Sequence, residues 1–138
     1  MHWDKKGLIF KPDKRLYWSK SHAMIPTPLK LNKDEVKVFY SGRDKLNRSH
    51  LGYVTFDLSK NFKISDKSSV PVLSPGDLGC FDDNGVTPSC AIKVGKKIFL
   101  YYIGWNPGST VRMHLFGGLA ISKDCLLYTS PSPRDSSK

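Results

Sequence analysis

One stretch of this chain is used twice. Met24 to Asp44 lies over Val86 to Asn106 without a gap, at an offset of 62 residues. Pro26 meets Pro88, Thr27 meets Ser89, Val36 meets Ile98, Val38 meets Leu100, Phe39 meets Tyr101, Tyr40 meets Tyr102 and Gly42 meets Gly104. In both copies β-branched and aromatic residues flank a short polar turn, and prolines exclude helix from the leading half. A pair of strands joined by a hairpin, repeated once, is the economical solution. With small shifts in the loops the frame extends both ways. Ile9-Phe10-Lys11-Pro12-Asp13 resembles Val72-Leu73-Ser74-Pro75-Gly76, Trp18 falls near the place of Phe81, and Leu51-Gly52-Tyr53-Val54-Thr55 resembles Gly117-Gly118-Leu119-Ala120-Ile121. The expected fold is all-β, with about two four-stranded antiparallel units, each the content of one propeller blade.

Several elements follow from this frame. Leu8-Ile9-Phe10 reads as a short first strand, ended by Lys11-Pro12-Asp13, whose partner lies in sequence beyond this chain. Ile98 to Ile103 reads as a strand buried on both faces. Leu58 to Ser69 is a Lys- and Ser-rich outer edge.

The candidate site residues sit where the repeated strands begin and end. Phe81-Asp82-Asp83-Asn84-Gly85 leads into the second copy, and Ser21-His22-Ala23 stands at the same place in the first. If the strands are spokes about a shared axis, His22 and Asp83 open onto one central hollow. Asp82, Asp83 and Asn84, two carboxylates and an amide, are either turn formers bonded to their own backbone or groups that carry site chemistry. At the far ends, Gly42-Arg43-Asp44 with Asn47-Arg48 corresponds to Gly104-Trp105-Asn106. Arg43, Asp44 and Arg48 either grip a polyhydroxylated or phosphorylated ligand or pair with one another to fix the loop. Trp105 suits stacking on a sugar ring; Trp18, in the basic, aromatic segment before the first strand, suits either the same role or a lid on the core. Ser89 and Asn106 complete the expected substrate-binding set, and Asp83, Asp82 and His22 the catalytic one.

Composition excludes other classes. A chain of 138 residues supports a single core. The net charge of +10 comes from lysines scattered over turns and strand ends, which reads as a solvated surface rather than a nucleic-acid groove. No run is long enough to span a membrane and the N-terminus lacks the apolar stretch of a signal peptide, so a cytoplasmic location is expected. Cys80, Cys90 and Cys125 have neither metal-ligand spacing nor an even count. No metal and no cofactor are expected. At Cys125 the repeat stops: Cys125 to Lys138 is similar to the translated adapter tails found on gene fragments assembled from environmental DNA. The domain is therefore expected over 1–124, with 125–138 a foreign, disordered tail.

Taken together, His22-Ala23 with Pro26-Thr27, Tyr40-Ser41-Gly42-Arg43-Asp44, Asn47-Arg48-Ser49, Pro71-Val72-Leu73-Ser74-Pro75-Gly76, Phe81 to Val86 with Pro88-Ser89, and Tyr101 to Asn106 resemble bacterial glycosidase-like proteins of the arabinanase, invertase and levansucrase superfamily. The resemblance implies a partial five-bladed β-propeller whose remaining blades lie beyond this chain. It implies an axial funnel in which carboxylates from successive blades cleave or transfer a glycosidic bond. Asp83, with Asp82 beside it, holds the second-blade place. The first-blade place holds Ser21-His22-Ala23 instead of an aspartate, and the sole glutamate, Glu35, lies in a hairpin turn. This fragment is therefore expected to be inactive by itself. A related branch, the mannoside phosphorylases, is similar in relying on one aspartate with basic groups around phosphate, a role that Arg43, Arg48 and His22 fit. The expected partner is a carbohydrate, with phosphate as co-substrate in the alternative reading, or a carbohydrate bound without catalysis.

Overall fold

A computed structural model describes residues 1–123 and, as backbone, 126–129. The chain forms two antiparallel meanders. The first comprises β1 (Ser21–Lys30), β2 (Glu35–Arg43), β3 (Ser49–Asp57) and β4 (Lys63–Lys67), with a 3-10 turn at Leu58–Lys60. The second comprises β5 (Gly85–Val94), β6 (Lys97–Pro107), β7 (Met113–Lys123) and β8 (Leu126–Thr129). The fold is all-β, and no helix is long and apolar enough to cross a membrane.

Residue-by-residue pairing bears out the repeat. Tyr40 lies opposite Gly52 in the first unit and Tyr102 opposite Gly118 in the second. Each first hairpin also carries a bulge beside its conserved-register proline. Ile25 and Pro26 interrupt the ladder between Met24 and Thr27, and Ser89 is the extra residue between Pro88 and Cys90. Proline has no amide hydrogen to donate, so the ladder breaks there and the strand bends.

The units meet along their inner strands. A single parallel bridge joins Ser49 of β3 to Gly85 of β5. Gly85 has φ of 147°, and a Cβ there would stand 2.8 Å from the Ser49 amide nitrogen, so only glycine admits this approach. Across the seam Ser41 Oγ donates to the Val86 carbonyl at 2.8 Å. Alternation along β2 and β6 then decides the core. Phe39, Leu29 and Leu51 of the first unit pack with Val86, Ile98, Leu100, Tyr102 and Ala120 of the second. A smaller cluster of Trp18, Tyr40, Val54 and Phe56 covers the other face of the first unit.

Four sequence expectations need correction. Leu8-Ile9-Phe10 forms no strand; residues 1–20 cross the first unit as an irregular strap, with Phe10 against the Tyr40 ring at 5.0 Å between centroids. An apolar triplet supplies side chains for a strand but not a neighbouring edge to pair with. Ile98 to Ile103 is buried on one face only, for Tyr101 is 42% exposed while Leu100 is fully buried. Of the two readings of Trp18 the core lid holds and the sugar platform fails: it is fully buried, and its Nε1 donates to the Ser69 carbonyl at 3.1 Å. Leu126–Thr129, expected in a disordered tail, pairs with β7. The rest of that tail, with the foreign origin read from it, lies outside the described residues.

Candidate functional site

Where β1 and β5 begin and β2 and β6 end, the two units leave a cleft of about 490 Å³ between them. Its walls are Met24, Ile25, Arg43, Asn47 and Ser49 from the first unit, with Asn84, Trp105, Arg112 and Met113 from the second. The size suits a small ligand. Both copies of the repeat line the cleft, but the expectation that His22 and Asp83 share one central hollow is not met, since neither lines it.

Arg43 stands at the last position of β2, opposite Ser49, and its Nη1 donates to Asn47 Oδ1 at 3.1 Å. Asn47 holds a left-handed backbone at φ of 65°, which asparagine tolerates, and this turns its amide toward Arg43. The Arg43 Nε–H is buried with no hydrogen-bond partner among the described residues. Neither Arg43 nor Arg112 is within ion-pair distance of a carboxylate there. Two guanidiniums without counter-charge make the cleft cationic and leave donors for an oxyanion or for sugar hydroxyls. Trp105 contributes a half-buried indole whose Nε1 donates to Thr87 Oγ1 at 3.0 Å, fixing the plane of the ring. Asn84 is held by its amide nitrogen, which donates to the Trp105 carbonyl at 2.9 Å.

The remaining expected site residues divide. Asp83 does not line the cleft. Its Oδ1 accepts from Asn106 Nδ2 at 3.0 Å and its Oδ2 from the Gly79 amide at 3.0 Å. Asn106 also donates to the Cys80 carbonyl at 3.2 Å, so it fastens the 79–83 loop instead of facing the cleft. Asp82, within that loop, is buried at 1% exposure. His22 is exposed with φ of 65°, its Nδ1 2.7 Å from Ser21 Oγ; the cleft takes its near neighbours Met24 and Ile25 instead. Ser89 lines a different hollow, beside Tyr101 and Leu119.

Asp44 and Arg48 follow the loop-fixing alternative. Asp44 Oδ1 accepts from the Leu46 and Arg48 amides, and its Oδ2 lies 2.8 Å from His50 Nε2 and 3.4 Å from Arg48 Nε. Burial works to raise the Asp44 carboxyl pKa, but the bonds from His50 and the Arg48 amide outweigh it and hold it below its ordinary value. His50 Nδ1 in turn meets Ser74 Oγ at 3.2 Å. This chain sets the loop that presents Arg43 and Asn47.

Sequence reasoning missed Arg112 and His50 as contributors, and weighed Asn84 only as one side chain of the turn before β5. The one available signal was the recurrence of Arg-X-His in Arg48-Ser49-His50 and Arg112-Met113-His114.

No protein-family model matches the chain. Uncharacterized proteins from two strains of Mycobacterium tuberculosis are 43% identical over 123 residues, 89% of this chain. The chain spans 41% of the length of these curated relatives. Among solved structures, a glycosyl hydrolase from Bacteroides ovatus superposes with a TM-score of 0.69 over 91% of this chain and 39% of its own, at 18% identity. The fold is glycosidase-like. At that identity the likeness extends to the fold and no further, and the chemistry rests on the cleft.

Proposed function

We propose that this chain supplies the first two units of a carbohydrate-active protein that cleaves or transfers a glycosidic bond, and that the cleft between its units is part of the sugar-binding funnel. The observation that carries the reading is the joint lining of that cleft, on a glycosidase-like fold, by Arg43, Asn47, Asn84, Trp105 and Arg112. Amides and guanidiniums suit the hydroxyls of a sugar, and the tethered indole offers a face for its CH groups.

In this reading Asp83 is a positioning residue. It spends both oxygens on Asn106 and Gly79, and so holds the turn that presents Asn84. The acid that protonates the departing glycosidic oxygen then comes from elsewhere in the longer protein, because no carboxylate lines the cleft among the described residues. This chain alone binds and orients without turning substrate over.

The two uncompensated guanidiniums favour a second reading, in which inorganic phosphate replaces water as the acceptor. Its oxygen would form the new bond to the anomeric carbon as the bond to the leaving sugar oxygen breaks, giving a sugar 1-phosphate. The test is to assay the longer protein on an oligosaccharide panel with and without phosphate. Phosphate-dependent sugar 1-phosphate selects phosphorolysis, and phosphate-independent release of reducing sugar selects hydrolysis or transfer. Binding without turnover, lost in Arg43→Ala, reduces the protein to a carbohydrate-binding module. Absence of both binding and turnover overturns the proposal.

A further inference from the structure

β1 enters the cleft by a route that its sister strand β5 does not take. At the offset of 62, Ile25 falls on Thr87. Thr87 is fully buried, lies opposite Ile103 in the unbroken ladder from Gly85 to Pro88, and accepts the Trp105 indole hydrogen bond. Ile25 has no such place. β1 takes three steps from Ser21 to Met24 where β2 takes two from Arg43 to Ser41, and three again from Met24 to Thr27 against two from Ser41 to Phe39. Each of these bulges contains one residue with left-handed backbone, His22 at φ of 65° and Ile25 at 55°. Isoleucine suits that conformation poorly: its branched Cβ crowds the backbone there, and the ring of Pro26 biases the preceding residue toward extended geometry. The fold does not demand this strain, since β5 makes the same entry with no residue but Gly85 at positive φ. Backbone of this kind persists where its surroundings hold it, and it gathers at ligand sites.

The bulged course puts Met24 and Ile25 on the cleft wall, with Ile25 41% exposed there. Resting on the reading of the cleft as a sugar site, we propose that Ile25 is a specificity-determining residue and that the sugar presents a methyl group to it, as a 6-deoxyhexose does. Arg43, Asn47, Asn84 and Arg112 supply donors and acceptors for ring hydroxyls and for an anionic substituent. Met24 and Ile25 supply none. The exocyclic carbon is the arm of a pyranose that reaches furthest from the ring. Ending in a hydroxyl against these two side chains, it gives up water without gaining a partner. Ending in a methyl, it buries apolar surface against them. An apolar wall rejects an added hydroxyl only moderately, and this one is partly open, so the preference is about tenfold.

Isothermal titration of the whole 138-residue chain tests this with the gluco, galacto and manno hexose 1-phosphates and the 6-deoxy counterpart of each. In at least one pair the 6-deoxy member is expected to bind about tenfold more tightly. Ile25→Val, which keeps the wall apolar, retains that ratio. Ile25→Thr, which replaces a methyl by a hydroxyl on the same branched frame, brings it close to one, while inorganic phosphate binds all three proteins alike. Circular dichroism checks folding, and Ile25→Asn, which tolerates left-handed backbone, replaces Ile25→Thr if that variant does not fold. A residue that merely shaped the strand would lower both members of a pair together and leave their ratio unchanged. Equal affinities within every pair, or a ratio that survives Ile25→Thr, would overturn this inference and leave the sugar reading standing. Sugar phosphates that bind no more tightly than inorganic phosphate would overturn both.

Discussion

The Asp83 carboxylate accepts a hydrogen bond from the Asn106 side chain at 3.0 Å, and this contact ties the loop before β5 to the end of β6. Both residues occupy places where the sequence suggests ligand chemistry. Their bond is instead what keeps Asn84 and Trp105 side by side at the cleft. Asn106→Ala removes the donors to both Asp83 and the Cys80 carbonyl and should cost about 1–2 kcal/mol of stability. Urea denaturation measures the loss. Faster hydrogen exchange at the Gly79 amide, which donates to Asp83, would show that it begins in this loop.

Arg43→Ala should abolish most anion affinity while leaving the fold intact, since among the described residues the side chain hydrogen-bonds to exposed Asn47 alone. Arg43→Lys should not restore binding, because an ammonium lacks the planar fork that presents two donors to one oxyanion. Isothermal titration with inorganic phosphate compares the three proteins. Equal affinities would remove Arg43 from the site.

Acid should loosen the loop that carries Arg43. The folded Asp44 carboxyl lies below its ordinary pKa of 3.8, so the unfolded chain takes up its proton first as pH falls. The stability that Asp44 contributes is therefore complete above that value and is lost as pH drops through the lower, folded one. Asp13 and Asp57 are lowered as well and contribute slopes of their own. The diagnostic is thus a difference: Asp44→Asn should show a shallower loss of stability with acid than the parent in parallel denaturation curves.

Gly52→Ala should destabilise the first unit by about 1–3 kcal/mol, because the added methyl would overlap the buried Trp18 ring. Gly95→Ala meets open space, and its cost comes from backbone alone, φ there being 61°. The two melting temperatures compare a packing clash with a turn preference.

Much of this architecture was legible because strands write their pattern locally. The offset of 62 places Tyr40 over Tyr102, and the fold sets both tyrosines opposite glycines. The prolines at 26 and 88, read in the sequence as aligned and as excluding helix, stand beside bulges in the fold. Side-chain direction was less accessible. That Asp83 begins a spoke follows from the repeat. That its oxygens turn to Gly79 and Asn106 depends on a loop whose course the repeat does not specify. Arg112 was obscured because its place in the cleft is set by the connection from the end of β6 to the start of β7, and its match in sequence, Arg48, turns to Asp44 instead of the cleft. The strap at residues 1–20 failed as a strand since pairing is a property of two segments, only one of which was read.

The account stands or falls on whether the cleft between the units binds ligand. Nuclear magnetic resonance can follow the three indole signals while the chain is titrated with inorganic phosphate and then with a hexose 1-phosphate. Trp105 lines the cleft, Trp18 is buried under Gly52, and Trp3 is 81% exposed on the strap. The Trp105 indole, the Asn84 amide and the Arg43 side-chain signals should move together with one affinity while Trp3 and Trp18 stay in place. Signals that do not move, or that move around Ser89 and Tyr101 instead, would contradict it.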